Sequence, residues 1–224
     1  MSFHLVSPKQ RSITRLVMGA SLLLVMIPVL ASAQVSVTAT AGTTGPTVYT
    51  TLGAAFTAIN GGTHQGVIGI SITASTTEAA AGAVLNASGS GSASYSQVTI
   101  TPSAASVRTI QGPISTAQPL VKLNGASNVT IDGRFGGSGQ YLRFRIVTTT
   151  GANSGPTIMF DNTAANDVLQ NCIVESRATN TSRGAISLGT LGSTNHITIS
   201  GNDIRDMTVD NLGTPANLIW GNSA

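Results

Sequence analysis

The sequence predicts an all-β solenoid that follows an N-terminal export signal. Three observations favour this fold class: apolar β-branched residues alternate with polar ones in short runs, Gly, Asn, Ser and Pro separate the runs, and a strand–turn–strand unit containing Asn recurs. Only 8% of the residues are charged. The abundant Thr, Ser, Asn and Gly disfavour helices, because they compete for backbone hydrogen bonds or loosen the chain.

Residues 1–33 have the three parts of a cleavable signal peptide. The first 15 residues carry three bases and no acid, residues 16–30 form an uncharged apolar run, and Ala31-Ser32-Ala33 precedes the expected cleavage site. The apolar run is shorter than the roughly 20 residues that a helix needs to cross a bilayer. We therefore expect a secreted protein with no membrane span in the mature chain. An uncleaved N-terminal anchor is the alternative.

Export would remove the positive charge of the chain. The formal net charge is +3, and Lys9, Arg11 and Arg15 all lie in the signal, which leaves eight bases and eight acids. A neutral chain without a basic stripe lacks the electrostatic footprint of a nucleic-acid-binding protein, so nucleic acid is not an expected partner.

Cys172 is the single cysteine. It excludes an intramolecular disulfide, and we expect it to be a buried thiol.

A polar lead-in is expected over residues 34–48, followed by a short helix within residues 49–62. The apolar residues of this segment recur with the spacing of one helix face, at Leu52, Ala55, Phe56 and Ile59. Thr50 or Thr51 can cap the start of the helix, and the Asn-Gly-Gly sequence at 60–62 can end it in a left-handed conformation.

Each later apolar run predicts a strand of about three to seven residues. These runs lie at residues 67–73, 97–101, 108–112, 120–124, 128–133, 142–148, 157–160, 168–174, 185–188, 196–200 and 217–220. Residues 134–140 and 151–156 are expected to loop out between the strands.

The imprecise repeat is anchored by Asn128, Asn166 and Asn195, which are 38 and 29 residues apart. A repeat of about 20–40 residues with two or three short strands is typical of a solenoid. Asn suits the corners, because it tolerates a left-handed turn and its amide can bond to the coils above and below. An antiparallel sandwich is the structural alternative, but the sequence has few of the two-residue hairpin turns that a sandwich requires.

Two sets of segments resemble a known superfamily. The segment YTTLGAAFTAINGGTHQGVIGISIT resembles the opening of right-handed parallel β-helix proteins of the pectate-lyase-like superfamily. The segments VLNASGSGSASYSQVTITPS, PLVKLNGASNVTIDG and VLQNCIVES resemble the β-helix parts of large secreted proteins of Bacteroidetes-type bacteria. The resemblance covers the chain from about Tyr49 onward. It implies a right-handed parallel β-helix over residues 49–224 with a short N-terminal capping helix, secreted by or displayed on a Gram-negative bacterium.

The resemblance also implies that the solenoid is incomplete at its C-terminus. Proteins of this kind often carry a C-terminal sorting domain, and no such domain is recognisable in this sequence. The chain stops just after the strand predicted at residues 217–220, which would leave an open solenoid end. We therefore expect the sequence to be a fragment of a longer protein.

Enzymes of the superfamily cleave acidic polysaccharides with Ca²⁺ and a base, or with paired carboxylates. The polygalacturonase-type landmarks do not occur in this sequence. The nearest feature is a group of three acids within eight residues, Asp203, Asp206 and Asp210, which could ligate Ca²⁺. A solvated surface is the alternative, and on a strand Asp203 and Arg205 would share a face as an ion pair. No other cofactor is expected. Asp132 lies at a predicted strand end, where a turn-forming role is expected.

A second candidate site surrounds the loop at residues 134–140. Phe135 and Tyr141 flank this loop and could present an aromatic platform to a glycan, together with Arg134 and Arg143. The alternative is that these side chains pack in the core or anchor the loop.

The sequence supports two alternative hypotheses about function. The first is a secreted or cell-surface structural or adhesive module that contacts glycans or other cell-surface components. The alternative is a fragment of a polysaccharide-active enzyme of lyase or hydrolase type. Carboxylates and bases gathered along one groove would favour the enzyme, and scattered charges would favour the adhesive module.

Overall fold

The computed structural model of the chain describes residues 1–2, 33–147, 155–176, 181–189, 196–207 and 215–221. From residue 33 onward these residues form a parallel β-solenoid with one short helix, which confirms the all-β prediction. Nearly all of the predicted signal peptide lies outside the described residues, as do Asn195 and Asp210. Among the described residues, no helix is long and apolar enough to cross a membrane.

The N-terminal segment joins the solenoid as an edge of one sheet. It contains β1 (Val35–Gly42) and β2 (Thr47–Tyr49), and β1 pairs antiparallel both with β2 and with the first strand of the solenoid. The segment predicted as a polar lead-in is therefore largely strand. Val35 and Val37 are fully buried, but the surrounding Thr and Ser conceal this alternation in the sequence.

The helix α1 (Leu52–Asn60) forms as predicted. Its four predicted apolar residues are all fully buried, and Thr51 is the N-cap residue, whose side chain accepts a hydrogen bond from the Ala54 amide. Gly62, with φ +77°, provides the left-handed residue that ends this segment. The helix packs mainly against the third strand of the first coil, so its apolar face is covered by the solenoid.

Five successive coils follow in the described chain, and each coil contributes one strand to each of three sheets. The strands are β3 (His64–Ile72), β4 (Thr76–Thr77) and β5 (Ala83–Asn86) in coil 1; β6 (Tyr95–Pro102), β7 (Arg108–Gly112) and β8 (Val121–Asn124) in coil 2; β9 (Val129–Asp132), β10 (Leu142–Ile146) and β11 (Ile158–Asp161) in coil 3; β12 (Val168–Gln170), β13 (Ile173–Ser176) and β14 (Ile186–Leu188) in coil 4; and β15 (Thr198–Ser200), β16 (Asp203–Asp206) and β17 (Ile219–Gly221) in coil 5.

The first, second and third strands of the coils form sheets A, B and C respectively. Sheet A has the order β15-β12-β9-β6-β3-β1-β2, sheet B the order β16-β13-β10-β7-β4 and sheet C the order β17-β14-β11-β8-β5. All strand pairs between successive described coils are parallel, and paired residues are from 28 (Ile158 and Ile186) to 38 (Asn86 and Asn124) positions apart. This spacing confirms the predicted repeat.

The core is a set of side-chain stacks that run along the solenoid. In sheet A, one stack contains a single aliphatic residue from each coil: Ile70, Ile100, Ile131, Leu169 and Ile199. The first four are essentially fully buried and Ile199 is half-buried. Each buried residue of this size stabilises the fold by about 1.5–3 kcal/mol, so the stacks hold the coils in register.

The corner before sheet A uses the predicted left-handed residues. Asn128 and Asn166 have φ of +62° and +55°. In the next coil the register places His196, with φ +54°, at the equivalent position, one residue after the predicted anchor Asn195. His is one of the side chains that adopt this conformation more readily than most.

The segment at residues 168–174 forms two strands rather than the single strand predicted. Asn171, with φ +53°, turns the chain from β12 into β13. The apolar run continues across this corner because Leu169, Cys172 and Val174 are all buried in the same core. Hydrophobicity alone therefore does not show the corner.

Candidate functional site

The outer face of sheet A presents two rows of small polar side chains. Because residues alternate across a strand, the neighbours of the inward Ile70 and Ile100 point outward. Ser36, Ser71 and Thr101 are in register in one row, and the second row contains Thr38, Gly69 and Thr99. Continuing the register places Asp132 beside Thr101 and Gln170 beside Asp132. The rows form a surface rich in hydroxyl and amide groups that crosses the strands β1, β3, β6, β9 and β12.

A groove follows these rows. It consists of two adjoining depressions of about 480 and 250 Å³, and both are lined by Ser71 and Thr101. The smaller depression extends over Ser36, Thr38, Gly69, Ile70 and Thr99. The larger one extends over Pro102, Ser103, Asp132, Arg134, Phe135, Gly136 and Gly137. The two together form one open groove on the outer face of sheet A.

Gly69 forms part of the groove floor. A Cβ atom at this position would lie 3.0 Å from Oγ1 of Thr38 on the neighbouring strand. A larger residue would therefore crowd Thr38 and fill the depression at the point where it crosses from β1 to β3.

The loop after β9 forms a wall of the groove, as expected for the predicted loop at residues 134–140. Phe135 and Ser138 hydrogen-bond to each other through both backbone groups, at 3.1 and 3.3 Å. Gly136 and Gly137 occupy the tip with positive φ and open space around them. Phe135 is 43% exposed, so its ring is available to a ligand in the groove.

The Asp132–Arg134 pair adds charge to the same wall. The Arg134 Nε and Nη2 atoms donate to the Asp132 carboxylate, with Nη2 2.7 Å from Oδ2. The Arg134 amide donates to Oδ1 at 3.0 Å, which is the turn-forming role predicted for Asp132. Gln170 donates to Oδ2 at 2.9 Å. Burial raises the pKa of Asp132, but the hydrogen bonds from Arg134 and Gln170 outweigh it and hold the pKa below its usual value.

The four predicted glycan-contacting residues divide among three places. Arg134 and Phe135 line the groove together. Tyr141 anchors the loop: its ring lies over Gly139, where a Cβ atom would clash with the ring. Arg143 is on β10, in sheet B, and faces Glu175. The structure therefore brings two of the four side chains together.

The groove residues from strands β1, β3 and β6 do not appear among the predicted site residues. Their signal is weak in the sequence, because Ser71, Thr99 and Thr101 are ordinary outward residues of alternating strands. Their convergence depends on the register between coils that lie about 30 residues apart in the chain.

The predicted calcium ligands are not brought together in the described chain. Asp203 pairs with Arg205 at 2.8 Å, as the sequence predicts. Asp206 is three residues along the same strand and therefore on its opposite face, and Asp210 lies outside the described residues. Within the ranges that the structure describes, no group of three or more His, Cys, Asp or Glu side chains is arranged to hold a metal ion. Calcium binding stays a prediction.

Two reactive side-chain types are held in structural positions. His64 is fully buried, its Nδ1 is 2.6 Å from the Thr43 carbonyl oxygen, and its Nε2 is 2.7 Å from the Tyr49 hydroxyl. Because a carbonyl oxygen only accepts, Nδ1 donates to it. Cys172 is buried as predicted, and burial raises the pKa of its thiol well above the usual value. Neither side chain lines the groove.

No family model, no curated protein and no solved structure matches this chain. The relationship to pectate-lyase-like and Bacteroidetes-type proteins therefore stays a prediction from the sequence.

Proposed function

We propose that this protein is an exported β-solenoid module of the cell surface or the extracellular medium that attaches to a glycan through the groove on sheet A. The observation that carries the proposal is the continuity of this groove. Its floor is hydroxyl-rich, one wall carries an exposed Phe135, and the Asp132–Arg134 pair lies beside that ring.

The chemistry of the groove suits a sugar polymer. Sugar hydroxyls both donate and accept hydrogen bonds, as do the Ser and Thr hydroxyls of the floor. The Asp132 carboxylate accepts and the Arg134 guanidinium donates at the same wall. An exposed aromatic ring offers an apolar face to the C–H side of a sugar. The groove is open and extended, which suits a segment of a chain better than a small enclosed ligand.

The carboxylates favour binding over hydrolysis. Glycoside hydrolases use two carboxyl groups on opposite sides of the scissile bond. Asp132 is the one acid among the residues that line this groove, and hydrogen bonds to Arg134 and Gln170 stabilise its charged form. The enzyme hypothesis is tested by incubation with uronate-containing polysaccharides plus Ca²⁺, in which unsaturated lyase products would absorb at about 235 nm, a signature of the proton abstraction that such an enzyme performs.

The binding proposal is tested with Phe135→Ala. Affinity electrophoresis through gels that contain xylan, galactomannan or mixed-linkage β-glucan should retard the wild-type protein in at least one gel. The F135A variant should bind that polysaccharide about five- to tenfold more weakly, because an aromatic contact contributes about 0.5–1.5 kcal/mol beyond its buried area. Phe135→Tyr keeps the ring and should keep most of the affinity.

Val107→Ala is the matched control, since Val107 is 41% exposed and does not line the groove. It should migrate like the wild type. A wild-type protein that none of the three polysaccharides retards would refute glycan binding of this class. Equal retardation of F135A and wild type would refute the groove as the binding site.

A further inference from the structure

The outer face of sheet B carries a cluster of guanidinium groups around one buried carboxylate. Glu175 on β13 has a side chain only 1% exposed, and Arg145, Arg205 and Arg143 surround it. Arg145 donates to Oε2 at 2.5 Å, and Arg205 donates to Oε1 at 3.1 Å through Nη2. Arg205 also bridges to Asp203 at 2.8 Å. Both oxygens of Glu175 are thus occupied by two of the three arginines.

Arg143 is the arginine in excess. Its Nε lies 3.7 Å from Oε1 of Glu175, which is too far for a hydrogen bond. This Nε is buried and has no hydrogen-bond partner, and within the described chain its terminal nitrogens have none either. Buried polar groups are nearly always hydrogen-bonded, so Arg143 is the least well satisfied arginine of the three. The side chain is 27% exposed, so its outer end is accessible.

The charge of the cluster is also unbalanced. Three guanidinium groups face the carboxylates of Glu175 and Asp203, which leaves one positive charge in excess among the described residues of this face. An excess cation that lies beside two other cations is destabilised by repulsion unless an anion joins it.

Two further donors flank Arg143 on the adjacent strand. Thr109 on β7 pairs in register with Arg143, and Gln111 pairs with Arg145. Both are half-buried and lie on the outer face. Within the part of the chain that the structure describes, the side chains of Thr109 and Gln111 make no hydrogen bond. Adjacent strands are about 4.8 Å apart, so these donors can reach the same group as the fork of Arg143.

We propose that Arg143, with Thr109 and Gln111, forms a binding site for an oxyanion, such as a sulfate ester or a carboxylate carried by an extracellular polymer. The planar guanidinium fork suits such groups because it donates two parallel hydrogen bonds. The anion neutralises the excess charge and accepts hydrogen bonds from the exposed terminal nitrogens of Arg143, whereas the buried Nε faces Glu175. This site is on a different sheet from the glycan groove and does not depend on it.

The test compares three dextrans with the same backbone: unmodified dextran, carboxymethyl dextran and dextran sulfate. Titration calorimetry at about 0.15 M salt, where weak surface attraction is screened, should show that at least one charged dextran binds the wild type. Arg143→Gln should weaken this binding at least about tenfold, in line with a lost charged hydrogen bond. Inorganic sulfate added as a competitor should displace the polymer. The stronger of the two charged dextrans identifies the oxyanion.

Arg183→Gln is the matched control, because it removes the same charge from a side chain that has no hydrogen bond or ion pair among the described residues. It should change the affinity less than twofold, and Phe135→Ala should not change it. If R143Q does not fold, the pair Thr109→Val and Gln111→Leu replaces it and should weaken binding about threefold. The proposal is overturned if neither charged dextran binds better than unmodified dextran. It is also overturned if R143Q and R183Q lose affinity equally, or if no variant of the site loses affinity.

Discussion

Asp167 is a carboxyl group inside the aliphatic core. It directly precedes β12 and is in register with Val129 on the neighbouring strand. It therefore continues the row of inward side chains formed by Ile68, Val98 and Val129. Its Oδ1 atom accepts the Val129 amide at 2.8 Å, and its Oδ2 atom is buried without a partner. Burial raises the pKa of Asp167 to about 7, and the hydrogen bond from Val129 offsets only part of this shift. Its charge in turn adds to the burial that raises the pKa of Tyr95.

This raised pKa makes the fold less stable at alkaline pH. The unfolded chain loses the Asp167 proton near pH 4, whereas the folded chain keeps it up to about pH 7. The favourable contribution is therefore complete below pH 4 and is lost as the pH rises through about 7. Asp167→Asn keeps the acceptor for Val129 and cannot ionise. We expect it to raise the free energy of unfolding at pH 8 by about 1–3 kcal/mol and to change it little at pH 4.5, measured by urea denaturation.

Asp203→Asn serves as the comparison, because Asp203 is half-exposed and its ion pair with Arg205 is a surface interaction. Its effect should stay within about 1 kcal/mol at both pH values. A D167N protein that is less stable than wild type at pH 8 would mean that the ionised carboxylate is stabilised in the core.

The start of helix α1 shows how a distant residue completes a local element. Leu52 and Gly53 donate their amides to the two oxygens of Glu78, at 3.0 and 2.8 Å, and Thr76 adds a hydrogen bond to the same carboxylate. Thr51 accepts the Ala54 amide. Gly53 is required for this approach, since a Cβ atom there would lie 2.9 Å from Oε2 of Glu78. Three of the helix's first amides are thus satisfied, and the negative charge lies at the positive end of the helix dipole.

Removing the charge of Glu78 should cost more than removing the N-cap. In Glu78→Gln one helix amide faces an NH₂ group and loses its acceptor in a buried site, for which we expect a loss of about 2–4 kcal/mol of unfolding free energy. Thr51→Ala should cost about 1 kcal/mol. Both values are measured by urea denaturation at pH 7. Thr57→Ala, on the exposed face of the same helix, should be neutral or slightly stabilising. The interpretation is wrong if E78Q is as stable as T57A.

The elements that the sequence could predict are those with a complete local pattern. The helix has its four apolar residues on one face, and strands such as Leu142–Ile146 show clear alternation. Strand β4 has only two residues, which is too short for any period to be visible. Its position is set by pairing with β7 rather than by its own side chains. Propensity therefore fixes the long elements, and packing on neighbouring coils fixes the short ones.

The groove could not be predicted from local sequence patterns, because its residues come together only through the register between coils. The proximity of Arg134 and Phe135 could be predicted, because the two residues are adjacent in one predicted loop. Ser36, Ser71 and Thr101 come together only through the register of β1, β3 and β6. Coil lengths vary by as much as ten residues between pairs, so the sequence does not fix that register. For the same reason, the sequence indicates Arg143 as a neighbour of the loop and does not reveal the cluster around Glu175.

A row of asparagines joins the coils along one corner of the solenoid. Asn124 donates to Oδ1 of Asn86 at 2.9 Å, and Asn162 donates to Oδ1 of Asn124 at 2.5 Å. Oδ1 of Asn60, at the end of α1, accepts a hydrogen bond from the backbone amide of Asn86. The sequence predicted that asparagine amides would bond between coils at a corner. The asparagines of this row do so at the ends of the sheet C strands, and Asn202 bonds between coils elsewhere. Asn128 and Asn166 supply left-handed turns.

This row tests whether the solenoid behaves as a one-dimensional array, in which each coil interacts only with its neighbours. Asn124→Ala removes two hydrogen bonds between coils and should cost about 1–3 kcal/mol of unfolding free energy. Double-mutant cycles by urea denaturation should give a coupling of about 0.5–1.5 kcal/mol between Asn86→Ala and Asn124→Ala, which are in contact. Asn86→Ala and Asn162→Gly should couple by less than about 0.5 kcal/mol, because a whole coil separates them; glycine keeps the positive φ of Asn162. Equal coupling in both cycles would exclude a description by nearest neighbours alone. It would mean that the row acts as one cooperative network along the whole solenoid, since hydrogen bonds in a chain can polarise one another.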